Sequence, residues 1–327
     1  PPAHGEILSM AFPRRALSDR LACSEPRELP WLAYLPTPLK TRSLQDPLWK
    51  FGADNFTAAD LSAHAEAART NVLGQVWRLS KDPAGCREVQ RALDAAKTDE
   101  ERERLACELE GSVQKAARCP HANHVLQKVI TAMPPKSFQF VIDEVMEGGL
   151  LQMARHKYGC RIVQRLIERG SACQVETMVE ALLSEFETLA KQQYSNFVLQ
   201  HLMEHGSPGV QQRLSELVLE HASELGAHTH GCALLCTALQ QGDASIRCAL
   251  VERLLQDPEL VPAMACMRHG HVALCAILSG VGAAKPAAVA AYDACGNKEV
   301  VRAILTERKA MLDGSKYGRV VMECLNA

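Results

Sequence analysis

The chain has 327 residues, of which 47% are hydrophobic and 23% charged, with a formal net charge of −2; this balance is that of a soluble globular protein with enough chain to bury a core. No run of about 18 apolar residues occurs, which excludes a transmembrane helix, and the near-neutral charge disfavours a duplex-DNA binder that relies on phosphate contacts. Thirteen cysteines without a CxxC pair indicate a reducing compartment rather than a disulfide framework.

The N-terminal region differs in composition from the rest of the chain. Residues 1–56 contain eight prolines and no sustained periodicity, which predicts an extended or disordered segment. The sequence starts at Pro1 rather than at a methionine, so we expect it to be truncated or processed. We therefore expect any targeting segment to have been removed from it already. At Thr57 a Thr-Ala-Ala-Asp sequence similar to a capping box opens an Ala-rich stretch, and we interpret residues 57–80 as a capping helix.

A repeated pattern follows. Four segments share one arrangement of residues: Gly85-Cys-Arg-Glu-Val-Gln90, Ala122-Asn-His-Val-Leu-Gln127, Gly159-Cys-Arg-Ile-Val-Gln164 and Ser195-Asn-Phe-Val-Leu-Gln200. Their second residues are 37, 37 and 36 positions apart, and a basic residue follows each final Gln. The stretches between the segments carry apolar residues at three- and four-residue steps, which predicts helices. A period of this length that contains short helices indicates an α-solenoid, whose units bury their apolar faces against their neighbours.

The pattern weakens towards the C-terminus. Windows at Cys232 and His271 keep spacings of 36 and 39 residues, whereas those at Asn297 and Arg319 follow after only 26 and 22. We therefore predict about eight units, of which four well-matched ones occupy residues 81–222. Degenerate and shortened units with a C-terminal cap occupy residues 223–327.

Each window, drawn as a helix, separates an apolar side from a polar one. In the third window Cys160, Arg161 and Gln164 share one arc, while Ile162 and Val163 lie on the other side. The windows Cys-Arg-x-x-Gln and Asn-(His or Phe)-x-x-Gln, on the second helix of a unit of this length, resemble the repeats of Pumilio/PUF proteins. The resemblance covers residues 60–327 and is strongest over 80–205.

The resemblance implies an all-α fold, a curved right-handed α-solenoid of about eight roughly 36-residue repeats, with the second helix of each repeat on the concave face. In that family each repeat reads one RNA base, and the first and fifth window positions meet the base edge. These base-edge residues are Cys86, Gln90, Asn123, Gln127, Cys160, Gln164, Asn196 and Gln200. The second position stacks between bases, which assigns stacking to Arg87, His124, Arg161 and Phe197.

The chemistry of these residues agrees with that assignment. A Gln amide carries a donor and an acceptor, so it can pair with adenine or with uracil. Asn at the first position adds an amide suited to uracil, whereas a small Cys leaves an apolar contact that tolerates adenine. The planar side chains at the second position suit stacking, which contributes roughly 1–3 kcal/mol per base.

Family resemblance further implies a post-transcriptional regulator of messenger RNA, cytoplasmic or else nucleolar, which recruits protein effectors on its convex surface. Such domains bind RNA antiparallel, so units four to one would read 5′-UAUA-3′. The sequence indicates neither a membrane partner nor a small-molecule substrate.

Weaker RNA-contact candidates lie in the degenerate units, where stackers and edge-reading amides are missing. They are Cys232, Cys236, His271, Cys275, Asn297, Arg319 and Glu323. Several His and Cys residues there also suggest a zinc site, namely His228, His230, Cys232, Cys236, Cys266, His269, His271 and Cys275. They fall at equivalent repeat positions in apolar windows, so we expect no metal and no cofactor.

Three other functional classes fit the sequence less well. No nucleophile elbow, P-loop, Rossmann glycine pattern or HExxH motif occurs, so we do not expect an enzyme. A nucleolar, ribosome-biogenesis PUF-like protein that binds RNA with low specificity fits the degenerate second half. A protein-binding armadillo or HEAT scaffold would need no repeated Gln at the fifth window position.

Overall fold

The computed structural model describes residues 72–279 and 296–326, all within one compact unit. The segment 1–56 and residues 57–71 of the expected capping helix lie outside the described residues. Where the chain is described, its secondary structure is helical and contains no strand, and no helix combines the length and the apolarity that crossing a bilayer requires.

Twenty α-helices occur in the described residues. They are α1 Val76–Ser80, α2 Gly85–Ala95, α3 Asp99–Cys107, α4 Val113–Arg118, α5 Ala122–Ala132, α6 Gln139–Glu147, α7 Leu150–Ala154, α8 Gly159–Arg169, α9 Ala172–Ser184, α10 Phe186–Ala190, α11 Asn196–His205, α12 Pro208–Glu220, α13 Ala222–Gly226, α14 Gly231–Gln241, α15 Ala244–Leu255, α16 Leu260–Ala265, α17 Gly270–Ser279, α18 Asn297–Glu307, α19 Lys309–Gly314 and α20 Lys316–Asn326. A 3₁₀ turn, Pro135–Phe138, precedes α6.

The helices repeat as a long helix, a short helix and a window helix. Each window helix begins at or just before the first residue of a repeated sequence window, and packs against the window helix of the next unit. The resulting row runs α2, α5, α8, α11, α14, α17 and α20. The long helices α6, α9, α12, α15 and α18 pack against the short and long helices beside them. This arrangement is an all-α solenoid, as the sequence predicted.

The window at Asn297 departs from the prediction. Its helix, α18, contacts α15, α16 and α17, in the same way that α15 contacts α12, α13 and α14. It is therefore the long helix of the last unit and not a window helix. The short spacings on either side of Asn297 belong to one unit, so the described residues contain seven window helices rather than eight. Local similarity to a window could not distinguish the two, because both kinds of helix are amphipathic.

A buried apolar residue anchors each window helix. It lies three positions after the first window residue and is fully buried in six units, as Val89, Leu126, Val163, Leu199, Leu235 and Leu274. Full burial of such a side chain contributes about 1.5–3 kcal/mol. This recurring core residue thus helps to hold six of the seven window helices in the row.

A close approach of the short helix explains the glycine that stands before most windows. In five units this residue is glycine, and a Cβ there would lie 2.3–2.6 Å from the backbone carbonyl oxygen six residues earlier. The glycines are Gly85, Gly159, Gly231, Gly270 and Gly318. In the fourth unit Ser195 stands at this position and donates a hydrogen bond from Oγ to the equivalent carbonyl, Leu189 O, at 2.8 Å. In these six units the carbonyl is therefore either left uncrowded or bound, whereas the second unit carries Ala122 at this position.

Carboxylates at the end of α3 and within α6 cap the short helices of the preceding unit. Glu108 accepts the backbone N–H groups of Gly74 and Val76 at 2.6 and 2.8 Å. Glu144 accepts those of Gly111 and Val113 at 2.7 and 3.1 Å. A carboxylate satisfies donors that a helix N-terminus leaves unpaired and complements its dipole. Each contact also sets the register between neighbouring units.

Candidate nucleic-acid interface

The first window residue of each well-matched unit is buried at the start of its helix. Cys86, Asn123, Cys160 and Asn196 are all at most 5% exposed. Burial raises the pKa of the Cys160 thiol to about 11, so the group stays neutral and behaves as a small apolar side chain. These residues contribute only a small surface of their own.

In the two Asn units, the first and fifth window residues form a hydrogen-bonded pair. Asn123 donates from Nδ2 to Cys119 O at 2.7 Å and accepts from Nε2 of Gln127 at 3.0 Å. Asn196 donates in the same way to Gln192 O at 2.5 Å and accepts from Nε2 of Gln200 at 2.7 Å. Because the Gln amino group is engaged, the carbonyl oxygen Oε1 is the amide atom left for another partner. In the fourth unit this oxygen of Gln200 accepts from Oγ1 of Thr237, on the next window helix, at 3.2 Å.

In the two Cys units, backbone carbonyls hold the Gln amide instead. Gln90 donates from Nε2 to Cys86 O at 3.0 Å. Gln164 is only 5% exposed and donates to Phe197 O of the next window helix at 2.8 Å. The thiols face backbone carbonyls, with Cys160 Sγ 3.5 Å from Lys157 O. The orientation of Gln therefore does not depend on the first window side chain in these units.

The four planar side chains at the second window position lie one per unit along the row. Arg87 and His124 are exposed, and Arg161 and Phe197 are half-buried. Arg161 also donates to Oε1 of Gln164 at 3.5 Å. Burial lowers the pKa of Arg161 from its ordinary value, as expected for a guanidinium packed between neighbouring helices. Each of these units thus carries a planar group beside an amide, and in the third unit that amide is buried.

The basic residues that follow each Gln are partly neutralised by acidic groups. Lys128 pairs with Asp94 of the preceding unit, and Arg165 pairs with Glu168. Although burial alone raises the pKa of Glu168, contact with His201 and the charge of Arg165 hold it at about 2. The sequence had shown these bases as a regular series, but not their acidic partners.

The weaker candidates of the second half are engaged in other contacts. Cys232 is fully buried and donates from Sγ to Gly226 O at 3.2 Å, and burial raises the pKa of Cys232 and of Cys236 to about 12. Cys275 Sγ lies 2.8 Å from Cys324 Sγ. Arg319 and Glu323 are exposed, and Asn297 lies outside the row of window helices.

Aromatic rings precede most windows, a feature that the sequence reasoning missed. The residue two positions before the first window residue is a ring in six units: His121, Tyr158, Tyr194, His230, His269 and Tyr317. The Tyr317 ring stacks on His271 with centroids 4.8 Å apart and planes at 17°. The regular spacing of these rings could have identified them, but the repeated pattern was defined from the following residue onwards.

The described residues offer few arrangements that could hold a metal ion. Among these residues, no three of the eight His and Cys residues of the degenerate windows place ligand atoms within 4.8 Å of one another; two other groups do, Glu168/His201/His205 and Glu187/His221/Glu224. Of the cysteines in this part of the chain, ten carry free thiols and Cys248 is disulfide-bonded. The disulfide at Cys248 departs from the expectation that no disulfide framework forms. Disulfide formation depends on which cysteines the fold brings close together, and spacing along the sequence does not show this.

Comparison with known proteins shows which class of repeat protein this chain is similar to. Residues 80–213 match the family model of the NOP9-like PUF repeat domain. The chain is 32% identical over 114 residues to Fem-3 mRNA-binding factor 2 of Caenorhabditis elegans, an alignment that covers 33% of this chain and 17% of that protein. It is 29% identical over 135 residues to Fem-3 mRNA-binding factor 1 of the same organism, covering 39% and 21%.

A solved structure extends the similarity to the fold. PUF-8 in complex with PBE-RNA superposes with a TM-score of 0.68 and 20% sequence identity, covering 83% of this chain and 76% of that one. The chain spans about a fifth of the length of the two curated relatives. The fold and the row of window helices define a helical repeat protein. The match over residues 80–213 supports a Pumilio/PUF repeat domain in this part of the chain.

Proposed function

We propose that this chain is a sequence-specific single-stranded RNA-binding protein without catalytic activity, whose units four to one read 5′-UAUA-3′. It acts on messenger RNA in the cytoplasm, with protein effectors bound on the convex surface. The observation that supports this most strongly is the alternation of Asn–Gln pairs with Cys–Gln units along one row of helices. The names of the matched relatives and of the RNA-bound structure agree with an RNA ligand.

The Asn–Gln pairs suit uracil. Uracil presents an N–H between two carbonyl groups, so it requires an acceptor that faces it. Since Nε2 of Gln127 is bound to Asn123, Oε1 faces outward as that acceptor. In this proposal Asn acts through Gln, by orienting it, and this differs from the direct contact that the sequence suggested.

The first Cys–Gln unit suits adenine for the complementary reason. Adenine presents an acceptor beside an amino donor, so it needs both groups of an amide. Gln90 is held only by a backbone carbonyl, and no side chain at the first position prevents its amide from turning. The buried neutral thiol leaves an apolar contact beside the base.

A second candidate function is supported by the family model, which is that of the NOP9-like PUF repeats. In this alternative the chain is a ribosome-biogenesis protein of the nucleolus that binds RNA with low specificity. The buried thiols in the fifth unit, where Cys236 replaces the Gln, agree with it. Sequence preference distinguishes the two candidates.

We expect the chain to bind single-stranded RNA that contains UAUA more tightly than the same RNA with any one of these bases changed. Each change should cost roughly 1–3 kcal/mol, as for other edge-reading pairs. Fluorescence anisotropy titrations at one fixed salt concentration measure the difference, with duplex DNA as a weaker-binding control. Equal affinity for UAUA, a scrambled sequence and poly-C would contradict this specificity and support the second candidate.

We expect the double substitution Cys232→Ala, Cys236→Ala to leave base preference unchanged. Both thiols are buried and neutral, and no amide occupies either position of this unit. RNA selection from a random pool, carried out in parallel with the wild-type chain, tests this. A changed base next to UAUA on its 5′ side would show that the fifth unit reads sequence.

A further inference from the structure

Two groups of His and Glu side chains in the described residues place three ligand atoms each within 4.8 Å of one another. The first, here called the α8–α11 cluster, consists of Glu168 on α8 with His201 and His205 on α11. The second consists of Glu187, His221 and Glu224. They differ in burial and in how cations of the chain bind their carboxylates.

The two histidines of the α8–α11 cluster lie four residues apart on one helix, and their ring centroids are 4.4 Å apart. This i, i+4 spacing places two imidazoles on one face, as in helical zinc sites. Glu168 approaches from the neighbouring unit, with Oε1 3.3 Å from Nε2 of His201. Two ligands each about 2.0–2.2 Å from a tetrahedral Zn²⁺ ion would be separated by nearly this distance.

One ring nitrogen of the buried His201 has a carboxylate beside it, Oε1 of Glu168 at 3.3 Å, but no well-formed hydrogen bond. Its side chain is only 4% exposed, and Nε2 makes no hydrogen bond with any described residue. A buried ring nitrogen without a partner is costly. A metal ion beside Glu168 would satisfy it without moving the helices.

The contact of Arg165 with Glu168 leaves one carboxylate oxygen available to a metal ion. Arg165 binds Oε2 of Glu168, whereas Oε1 is the oxygen that faces His201. A carboxylate held at one oxygen by a hydrogen bond and presenting the other is a usual form of metal ligand. His205 is partly exposed at the edge of the cluster, so a water molecule can complete the coordination.

The second cluster lacks these properties. Nζ of Lys191 lies 2.8 Å from Oε1 of Glu187 and 2.9 Å from Oε2 of Glu224. This ammonium group already neutralises both carboxylates, which are exposed. The cluster therefore serves as a matched control for the first.

We propose that Glu168, His201 and His205 form a Zn²⁺ site that joins α8 to α11, with water as the fourth ligand. Imidazole and carboxylate ligands in tetrahedral number favour Zn²⁺ over Mg²⁺ and Ca²⁺, which prefer six or more oxygen ligands. His201 directly follows Gln200, and Glu168 lies one turn after Gln164. The ion thus holds the third and fourth window helices at a fixed spacing, whether or not RNA is the ligand.

The test uses the full chain, first treated with a chelator and then dialysed. Calorimetric titration with Zn²⁺ should show one strong site, and Co²⁺ should give visible d–d bands of tetrahedral coordination without a thiolate charge-transfer band. Because His205 is exposed, His205→Gln should keep the fold and weaken Zn²⁺ binding at least about 100-fold. Glu168→Gln should do the same, and His221→Gln in the second cluster should bind like the wild type.

The outcomes separate the proposal from its rivals. Zn²⁺ binding that survives both His205→Gln and Glu168→Gln overturns the proposal. A cobalt spectrum dominated by thiolate bands also overturns it, because it would assign the ion to cysteines such as the exposed Cys107 and Cys173. Equal affinity for Mg²⁺ also overturns it. Circular dichroism of each metal-free variant verifies that lost binding does not reflect an unfolded chain.

Discussion

Replacing Cys160 by Asn and Arg161 by Phe is expected to change the base preferred by the third unit from adenine to uracil, so that the selected sequence becomes UUUA. The introduced Asn should find an acceptor for its Nδ2 in His156 O, the carbonyl that already accepts the Cys160 backbone N–H at 3.0 Å. It is equivalent to Cys119 O and Gln192 O in the two Asn units. The new amide would then take Nε2 of Gln164 from its present acceptor, Phe197 O. Phe at position 161 removes the Arg161 donor from Oε1, which leaves Oε1 as an acceptor.

The expected size of this effect follows from the unpaired groups that adenine would create. An adenine opposite an oriented acceptor would leave a buried polar group unsatisfied, at a cost of about 1–3 kcal/mol. Phe at position 161 keeps a stacking plane. The units interact mainly with their neighbours, so a change on the polar side of one window helix should preserve the fold.

A matched control is available in the fifth unit. Cys232→Asn with Ala233→Phe introduces the same two residues, but Cys236 stands where the other units have Gln. With no Gln to orient, this variant should acquire no uracil preference. Selection of RNA from a random pool measures both variants; if the third-unit variant is folded and still selects adenine there, the one-unit, one-base mechanism does not operate in this protein.

The substitution Gly270→Ala is expected to destabilise the fold by about 3 kcal/mol, at the upper end of the cost of overpacking. An added Cβ would lie 2.3 Å from Met264 O and 2.9 Å from the Met264 carbonyl carbon. These are backbone atoms, so no side chain can turn away to make room. Relief requires α16 and α17 to move apart, which removes the contacts that hold the unit together.

The same substitution at Gly209 is the control. A Cβ at Gly209 meets no atom within 4 Å, and the residue lies in α12. Gly209→Ala should therefore raise stability by roughly 0.5–1 kcal/mol, because Ala loses less backbone freedom in a helix. Urea denaturation followed by circular dichroism should give midpoint shifts of opposite sign. A Gly270→Ala midpoint equal to that of the wild type would refute the close-approach explanation.

Several features of the candidate interface could be predicted from the sequence because they depend on local periodicity. The spacing of Cys86, Asn123, Cys160 and Asn196 located four window helices and the polar side of each. The same argument was wrong at Asn297, where a long helix resembles a window. Only its contacts with α15, α16 and α17 show which kind of helix it is.

The sequence by itself determined the helical class, the register of the first four units and the residues on their polar sides, because side-chain spacing along a helix follows from its 3.6-residue turn. Only the tertiary structure decided which atoms of those residues face outward. The Asn–Gln pairs, the contact of Gln164 with Phe197 O, the stack of His271 on Tyr317 and the α8–α11 cluster all depend on distances between atoms of different turns or units. Spacing along the chain constrains these distances weakly, since they are set by how closely neighbouring helices pack.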